Sequence, residues 1–230
     1  MHENLARPWD EFDAYLFDID GTLIHCTDAV HYFAFCDVLS STAGHALNLD
    51  GVTAHGNTDI GILRDAFAHA GVAEDIWRPQ LPQLLERMCG FVDEKRDELC
   101  TTVLPQVKEV LLHLRERGAK LGVATGNLER IGKRKLQTAG LIQMFDFGGW
   151  SDSFESREDV FRAALNRAHS LTSPEAAILV IGDTPADVKA AKRNQLPIMA
   201  VATGIYSFEE LSGCDPNVCV RSFQDLLPVV

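Results

Sequence analysis

The ten residues Ala14-Tyr15-Leu16-Phe17-Asp18-Ile19-Asp20-Gly21-Thr22-Leu23 constrain this chain more than any other stretch. A short apolar strand runs into two carboxylates one residue apart and breaks at a glycine. If that strand lies in a parallel sheet, Asp18 and Asp20 stand at its carboxyl end, where ligand crevices open. Two like charges held close together are unfavourable unless a cation or a proton comes between them. A bare Asp-x-Asp also occurs as an acidic turn. The apolar run before it and Gly21-Thr22 after it narrow the choice toward a site.

The next seventy-odd residues change character. Ala29 to Leu39, Asp59 to Ala70 and Leu81 to Glu98 read as helices, with Thr58 placed to cap the second and Gly71 placed to end it. A crossover between parallel strands needs only a dozen or so residues. The excess predicts an inserted all-helical cap over residues 26–102, hinged near Ile24–Thr27 and Thr101–Leu104. Residues 1–25 and 103–230 then form the core.

From Pro105 onward helix and strand alternate. An amphipathic helix spans Pro105 to Arg117, striped by Val107, Val110, Leu111 and Leu114, and stops at Gly118. Strands are predicted at Lys120–Thr125, Met144–Phe147, Ala177–Gly182, Pro197–Ala202 and Asn217–Arg221. Helices are predicted from Gly126-Asn127 to Gly140, from Arg157 to His169, and from Thr184-Pro185 to Arg193. Such alternation specifies an α/β fold, a doubly wound parallel sheet of Rossmann-like type with helices on both faces.

Polar residues recur at the strand ends. Thr125-Gly126-Asn127 offers a hydroxyl and backbone amides at a helix start, a seat for phosphate, although Asn127 could equally be a plain cap. Gly182-Asp183-Thr184-Pro185-Ala186-Asp187 places two acids four residues apart at another strand-to-helix turn, suited to a hard cation such as Mg²⁺ or to an ordinary capped helix start. Taken in order, Asp18-x-Asp20-Gly-Thr, Thr125, a following cation and Gly-Asp183-x-x-x-Asp187 resemble the motifs of the haloacid dehalogenase-like hydrolase superfamily. The cap's position between the first two motifs resembles the phosphoglycolate phosphatase-like branch. Where that family often has lysine at its third motif, this chain has none between Lys135 and Lys189, and Arg157 is the candidate.

The resemblance implies a Mg²⁺-dependent phosphomonoester phosphatase acting on a small phosphorylated metabolite. In it Asp18 is the nucleophile and Asp20 the acid/base. Asp18, the Asp20 carbonyl and Asp183 hold the metal, with Asp187 in support. Thr125, Gly126, Asn127 and Arg157 bind the phosphate. Lys133, Arg134 and Lys135 are expected to point away, about two turns along their helix. Thr58 and Asp59, in the cap stretch His55-Gly56-Asn57-Thr58-Asp59, are candidate substrate contacts, or simply a cap and a dipole partner. His25 is either an entrance residue or a solvated hinge residue. A phosphomutase shares these core residues. A binding or regulatory module that kept the fold is the reading from another class.

Composition excludes other readings. A formal charge of -12 in 230 residues disfavours nucleic acid and anionic lipid as partners. The six cysteines show neither Cys-x-x-Cys pairing nor zinc-ligand spacing, which is expected of reduced thiols in a cytoplasmic protein. A monomer or a homodimer is expected. Met1 to Glu11 lacks the apolar run of a signal peptide.

Overall fold

The computed structural model describes residues 4–227. The chain enters through β1 (Ala14–Phe17), then β2 (Ile24–Cys26). Four helices follow, α1 (Val30–Ala43), α2 (Asp59–His69), α3 (Glu74–Trp77) and α4 (Leu81–Glu94), before β3 (Thr101–Val103). The remainder alternates as expected: α5 (Val107–Glu116), β4 (Lys120–Ala124), α6 (Glu129–Thr138), β5 (Phe147–Gly149), α7 (Arg157–Leu171) and β6 (Ile178–Gly182). It closes with α8 (Pro185–Arg193), β7 (Ile198–Val201), α9 (Phe208–Gly213) and β8 (Val218–Val220).

Six strands form one sheet in the order β5-β4-β1-β6-β7-β8, and every pairing in it is parallel. β1 is therefore central and buried on both faces. Its side chains alternate between two cores. Tyr15 and Phe17 pack with Val107, Val110, Leu111 and Leu114 of α5, whereas Ala14 and Leu16 pack with Val160, Phe161 and Ala164 of α7 and Val188 of α8. The strand order reverses at β1, with β4 on one side and β6 on the other. The carboxyl ends of β1, β4 and β6 thus converge on one crevice.

The two predicted hinges pair with each other: β2 and β3 run antiparallel, Ile24 opposite Val103 and Cys26 opposite Thr101. Between them α1, α2 and α4 enclose a separate apolar core of Val38, Leu63, Phe67, Trp77, Met88 and Val92, which also takes in Leu128 and Ile131 at the start of α6. Trp77 is fully enclosed and stacks on Phe67, with ring centroids 5.2 Å apart.

Some boundaries differ from the sequence reading. Ile142–Met144 is a 3-10 turn, and the strand begins only at Phe147. The apolar run misleads there because the strand itself is Phe-Gly-Gly. A Cβ on Gly148 would lie 2.5 Å from the Trp150 ring and one on Gly149 2.7 Å from Ala164, so close packing selects glycine over β-formers. The long third cap helix ends at Glu94, and Arg96–Glu98 is a separate 3-10 turn. Among the described residues no helix is long and apolar enough to cross a membrane.

Trp77→Ala is expected to cost about 3–5 kcal/mol through lost burial and the cavity left behind. A lower urea midpoint reports this, and Trp77→Phe should recover most of the loss because the stack on Phe67 survives.

Candidate active site

The end of β1 brings Asp18 against groups from two other strand ends. Asp18, Asp183 and Asp187 each offer an oxygen within 4.8 Å of the others, and all three are buried. Arg157, the first residue of α7, lies among them. Its Nη2 is 2.9 Å from Asp18 Oδ1 and 2.6 Å from Asp187 Oδ1, and its Nε donates to the same Asp187 oxygen at 2.7 Å. Arg157 is only 6% exposed. Ser156 places it by capping α7, its hydroxyl accepting from the Asp159 N–H.

The donors on each acid separate their roles. Asp187 is fully committed. Arg157 holds Oδ1, while Oδ2 accepts the N–H and the hydroxyl of Thr184 in a capping box at the start of α8. Among the described residues Asp183 accepts only the Thr22 hydroxyl, on Oδ1 at 2.9 Å. Its neighbours leave it room by being glycines: a Cβ on Gly204 would lie 1.8 Å from Asp183 Oδ2, and one on Gly21 2.3 Å. Among the described residues no side-chain donor engages Asp18 Oδ2 or Asp183 Oδ2, and none engages the Asp20 carbonyl.

Electrostatics mark the same spot. Burial, with Asp187 and Asp20 nearby, pushes the Asp18 carboxyl up to about 6 despite Arg157. Burial and the charges of Asp18 and Asp187 push Asp183 well above the usual carboxylate range. One guanidinium therefore under-compensates this cluster. The uncommitted oxygens of Asp18 and Asp183 fit a hard, oxygen-seeking divalent cation such as Mg²⁺.

Asp20 has its own partners. Its Oδ1 accepts Lys135 Nζ at 2.9 Å and the Cys26 thiol at 3.2 Å, and its Oδ2 accepts Lys135 Nζ at 2.8 Å and Asn127 Nδ2 at 2.8 Å. Desolvation would raise this carboxyl, but the charge and hydrogen bonds of Lys135, joined by Asn127, hold it well below the usual range. The expectation that Lys135 points away is thus overturned. Lys135 shares the buried face of α6 with Leu128 and Ile131, and helical side chains lean toward the N-terminus, so a long stem covers the rise that seemed too far. That pattern, a lysine in step with Leu128 and Ile131, was the available signal. Cys26 carried none.

The second strand end also departs from the sequence reading. α6 starts at Glu129, not at Gly126-Asn127. Its first amides are taken by protein carboxylates, Leu128 N–H by Asp59 Oδ2 and Glu129 N–H by Asp152 Oδ2, each at 2.8 Å. Thr125 Oγ1 instead accepts Asn127 Nδ2 at 2.8 Å, which links Thr125 through Asn127 to Asp20. Gly126 is where the helical insertion touches the core. A Cβ there would fall 2.0 Å from the Asn57 carbonyl oxygen, and the Gly126 carbonyl accepts the Asp59 N–H at 2.8 Å.

Thr58 and Asp59 do dual duty. The Thr58 hydroxyl caps α2 by accepting the Gly61 N–H and donates across the crevice to the Glu155 carbonyl at 2.8 Å. Asp59 is 3% exposed and 3.2 Å from His31 Nε2. Both residues bind the core rather than open solvent, whereas His25 is solvent-exposed on β2. Ion pairs ring the same seam: Arg64 and Arg78 with Glu155, and Arg130 and Arg134 with Asp93.

The sequence profile of the haloacid dehalogenase-like hydrolases matches residues 15–201. A phosphoglycolate phosphatase of Cereibacter sphaeroides is 28% identical over 178 residues, which cover 77% of this chain and 79% of the relative. A Caldanaerobacter subterraneus subsp. tengcongensis protein provisionally named pyrophosphatase PpaX is 25% identical over 217 residues, 94% of each chain. CbbY from Rhodobacter sphaeroides, solved in complex with phosphate, superposes with a TM-score of 0.66 at 20% identity over 94% of this chain and 96% of its own, a likeness of fold.

A raised carboxyl favours the protonated form in the folded state. In metal-free protein, Asp18 therefore contributes stability below the usual carboxylate range and loses it as pH rises through about 6. A cation binding the ionised acids should reverse that loss. Mg²⁺ at a hundredfold excess over Kd should stabilise by about 2.7 kcal/mol, about 5–10 °C in Tm. The shift should be larger at pH 7.5 than at pH 5 and should vanish in Asp183→Asn. Equal shifts at both pH values in a thermal melt would contradict this.

Proposed function

The chain belongs to the haloacid dehalogenase-like hydrolase family, and from that premise we propose that it is a Mg²⁺-dependent phosphomonoester phosphatase working through an aspartyl-phosphate on Asp18. The observation that carries the reading is the pairing of two acids with separate environments at one strand end. Asp18 is buried against Arg157 with one oxygen uncommitted, and Asp20, two residues on, is held by Lys135 and Asn127. Two neighbouring carboxyls in such different surroundings can take different roles, one as nucleophile and one as acid/base.

Asp18 attacks phosphorus, and the bond from phosphorus to the ester oxygen breaks. Asp20 gives its proton to the departing alkoxide, then takes a proton from the water that hydrolyses the acyl phosphate. With its low proton affinity Asp20 is ionised in the free site, the form that can accept a proton in the second step but not the one that donates in the first. A phosphate dianion brought alongside raises that affinity for the first. Asp18, Asp183 and the Asp20 carbonyl would hold Mg²⁺, which supplies charge neutralisation for the transferring phosphoryl oxygens. Asp187 orients Arg157. Arg157 is also the cation best placed for phosphate, because its buried Nη2 has no aligned hydrogen-bond acceptor among the described residues. Thr125 and the Gly126 amide complete the seat.

Residues 26–102 act as a cap on a core of residues 1–25 and 103–230. Asp18 is only 6% exposed with the insertion seated on Gly126 and Glu155. Substrate entry therefore requires the cap to lift on the β2–β3 ribbon, and its return excludes water. The names of the relatives suggest a small phosphate ester such as 2-phosphoglycolate, with pyrophosphate as the competing substrate to screen.

Hydrolysis of p-nitrophenyl phosphate with Mg²⁺ and with excess EDTA tests the reading, and activity is expected only with metal. Asp18→Asn should lower kcat at least ~10³-fold while leaving circular dichroism unchanged. Turnover within about tenfold of the parent would remove Asp18 as nucleophile.

Arg157→Ala should lower kcat/KM by about 10²–10³-fold, as loss of a preorganised charge donor does elsewhere. Arg157→Lys should recover part of it. Parent-like kinetics in the alanine variant would place the phosphate cation elsewhere.

A further inference from the structure

Arg157 accounts for the charge on the Asp18 side of the site, and a second buried cation is left over. Lys135 is 4% exposed on a face of α6 that is otherwise Ile131, Gly132 and Leu136, following the buried Leu128 just before the helix. An ammonium in such surroundings is costly unless every N–H finds an acceptor. Nζ meets that condition with three: both oxygens of Asp20 and, at 2.9 Å, Asn127 Oδ1. An ammonium has three N–H groups to give. None is left for a ligand, whereas Nη2 of Arg157 has no aligned acceptor.

The view from Asp20 is complementary. Asp20 lies beyond the end of β1, just before Gly21 with its φ of 82°, its backbone held by an isolated bridge to Ile24. Its side chain is 39% exposed, so burial alone does not fix its rotamer. Two contacts to each oxygen, from Lys135, Asn127 and Cys26, do so. Asn127 is itself held by Lys135 through Oδ1 and by Thr125 through Nδ2. Withdrawing Lys135 would release Asp20 directly and loosen Asn127 as well.

We infer that Lys135 is a positioning residue which, through both carboxylate oxygens of Asp20 and the amide of Asn127, holds the acid/base in line with the ester oxygen. The inference rests on the phosphatase reading above. It has a kinetic signature that a merely structural ion pair lacks. When the P–O bond breaks, the leaving oxygen needs a proton in proportion to its basicity. Misplacing the donor therefore penalises basic leaving groups selectively, and it does so in kcat/KM, which reports the steps up to formation of the aspartyl-phosphate.

The test measures kcat/KM, with Mg²⁺, for phenyl phosphate and p-nitrophenyl phosphate, esters of similar shape whose leaving groups differ in basicity. The proteins are the parent, Lys135→Met, Lys135→Arg, Asp20→Asn and the Asp20→Asn/Lys135→Met double variant. Lys135→Met is expected to lose ~10²-fold on phenyl phosphate and less than ~10-fold on p-nitrophenyl phosphate, within the range general acid–base catalysis supplies. Lys135→Arg should show the same selectivity at smaller size. Lys135→Met should cost little more once Asp20 is already asparagine. Equal losses on both esters, or an undiminished loss in the Asp20→Asn background, would overturn the inference and leave the phosphatase reading standing. If Lys135→Met does not fold by circular dichroism, Lys135→Arg decides on the same criterion, a uniform loss again counting against it. A parent inactive on both esters would overturn the two together.

Discussion

The crowding of carboxylates at the carboxyl edge of a parallel sheet is the constraint around which this molecule is arranged. Asp18, Asp20, Asp183 and Asp187 converge because β1 and β6 are neighbours and their ends face one crevice. Repulsion and desolvation would scatter them or protonate them. Among the described residues two buried cations hold the arrangement, and they serve different acids. Arg157 spans Asp18 and Asp187, while Lys135 grips Asp20. What these cations leave uncompensated is the charge that a divalent metal would meet. Even the glycines answer to this crowd, since Gly21 and Gly204 are bare where Asp183 needs the space.

The helical insertion uses the same chemistry to find its seat. An α6 N-terminus beside an acidic site would attract an anion. Here Asp59 from α2 and Asp152 from the core fill it. Leu128 and Ile131 belong to the core of the insertion, and Lys135 follows on the same face of the same helix. One element therefore carries both the docking surface of α2 and the grip on Asp20. In physical terms, the seating of the insertion and the fixing of the Asp20 side chain share a support, α6.

Much of this was legible beforehand, for a reason specific to α/β folds. Buried parallel strands write themselves as apolar runs, and the residues that follow them must face the crevice. The strand ends thus marked Asp18, Asp20, Thr125, Asp183 and Asp187 as candidates, while the order of the motifs, through the family resemblance, singled them out from ordinary caps and pointed to Arg157 at the start of its helix. The Thr58 cap was equally local, a hydroxyl three residues before an N–H that needs it. The strand Phe147–Gly149 was not legible, because its glycines answer to Trp150 and Ala164 across space and not to strand propensity.

By itself, then, the sequence determined the doubly wound core, the helical insertion and the acids at the sheet edge, since each follows from short-range pattern or from chain order. Tertiary structure alone decided which cation meets which acid. Lys135 and Asp20 are 115 residues apart, and a rise along a helix axis says nothing of where a long side chain reaches when its face is buried. It also decided that Asp59 binds the Leu128 amide across the seam. Such pairings depend on how two separately folded helix faces meet, and no periodicity in one chain segment encodes its partner in another.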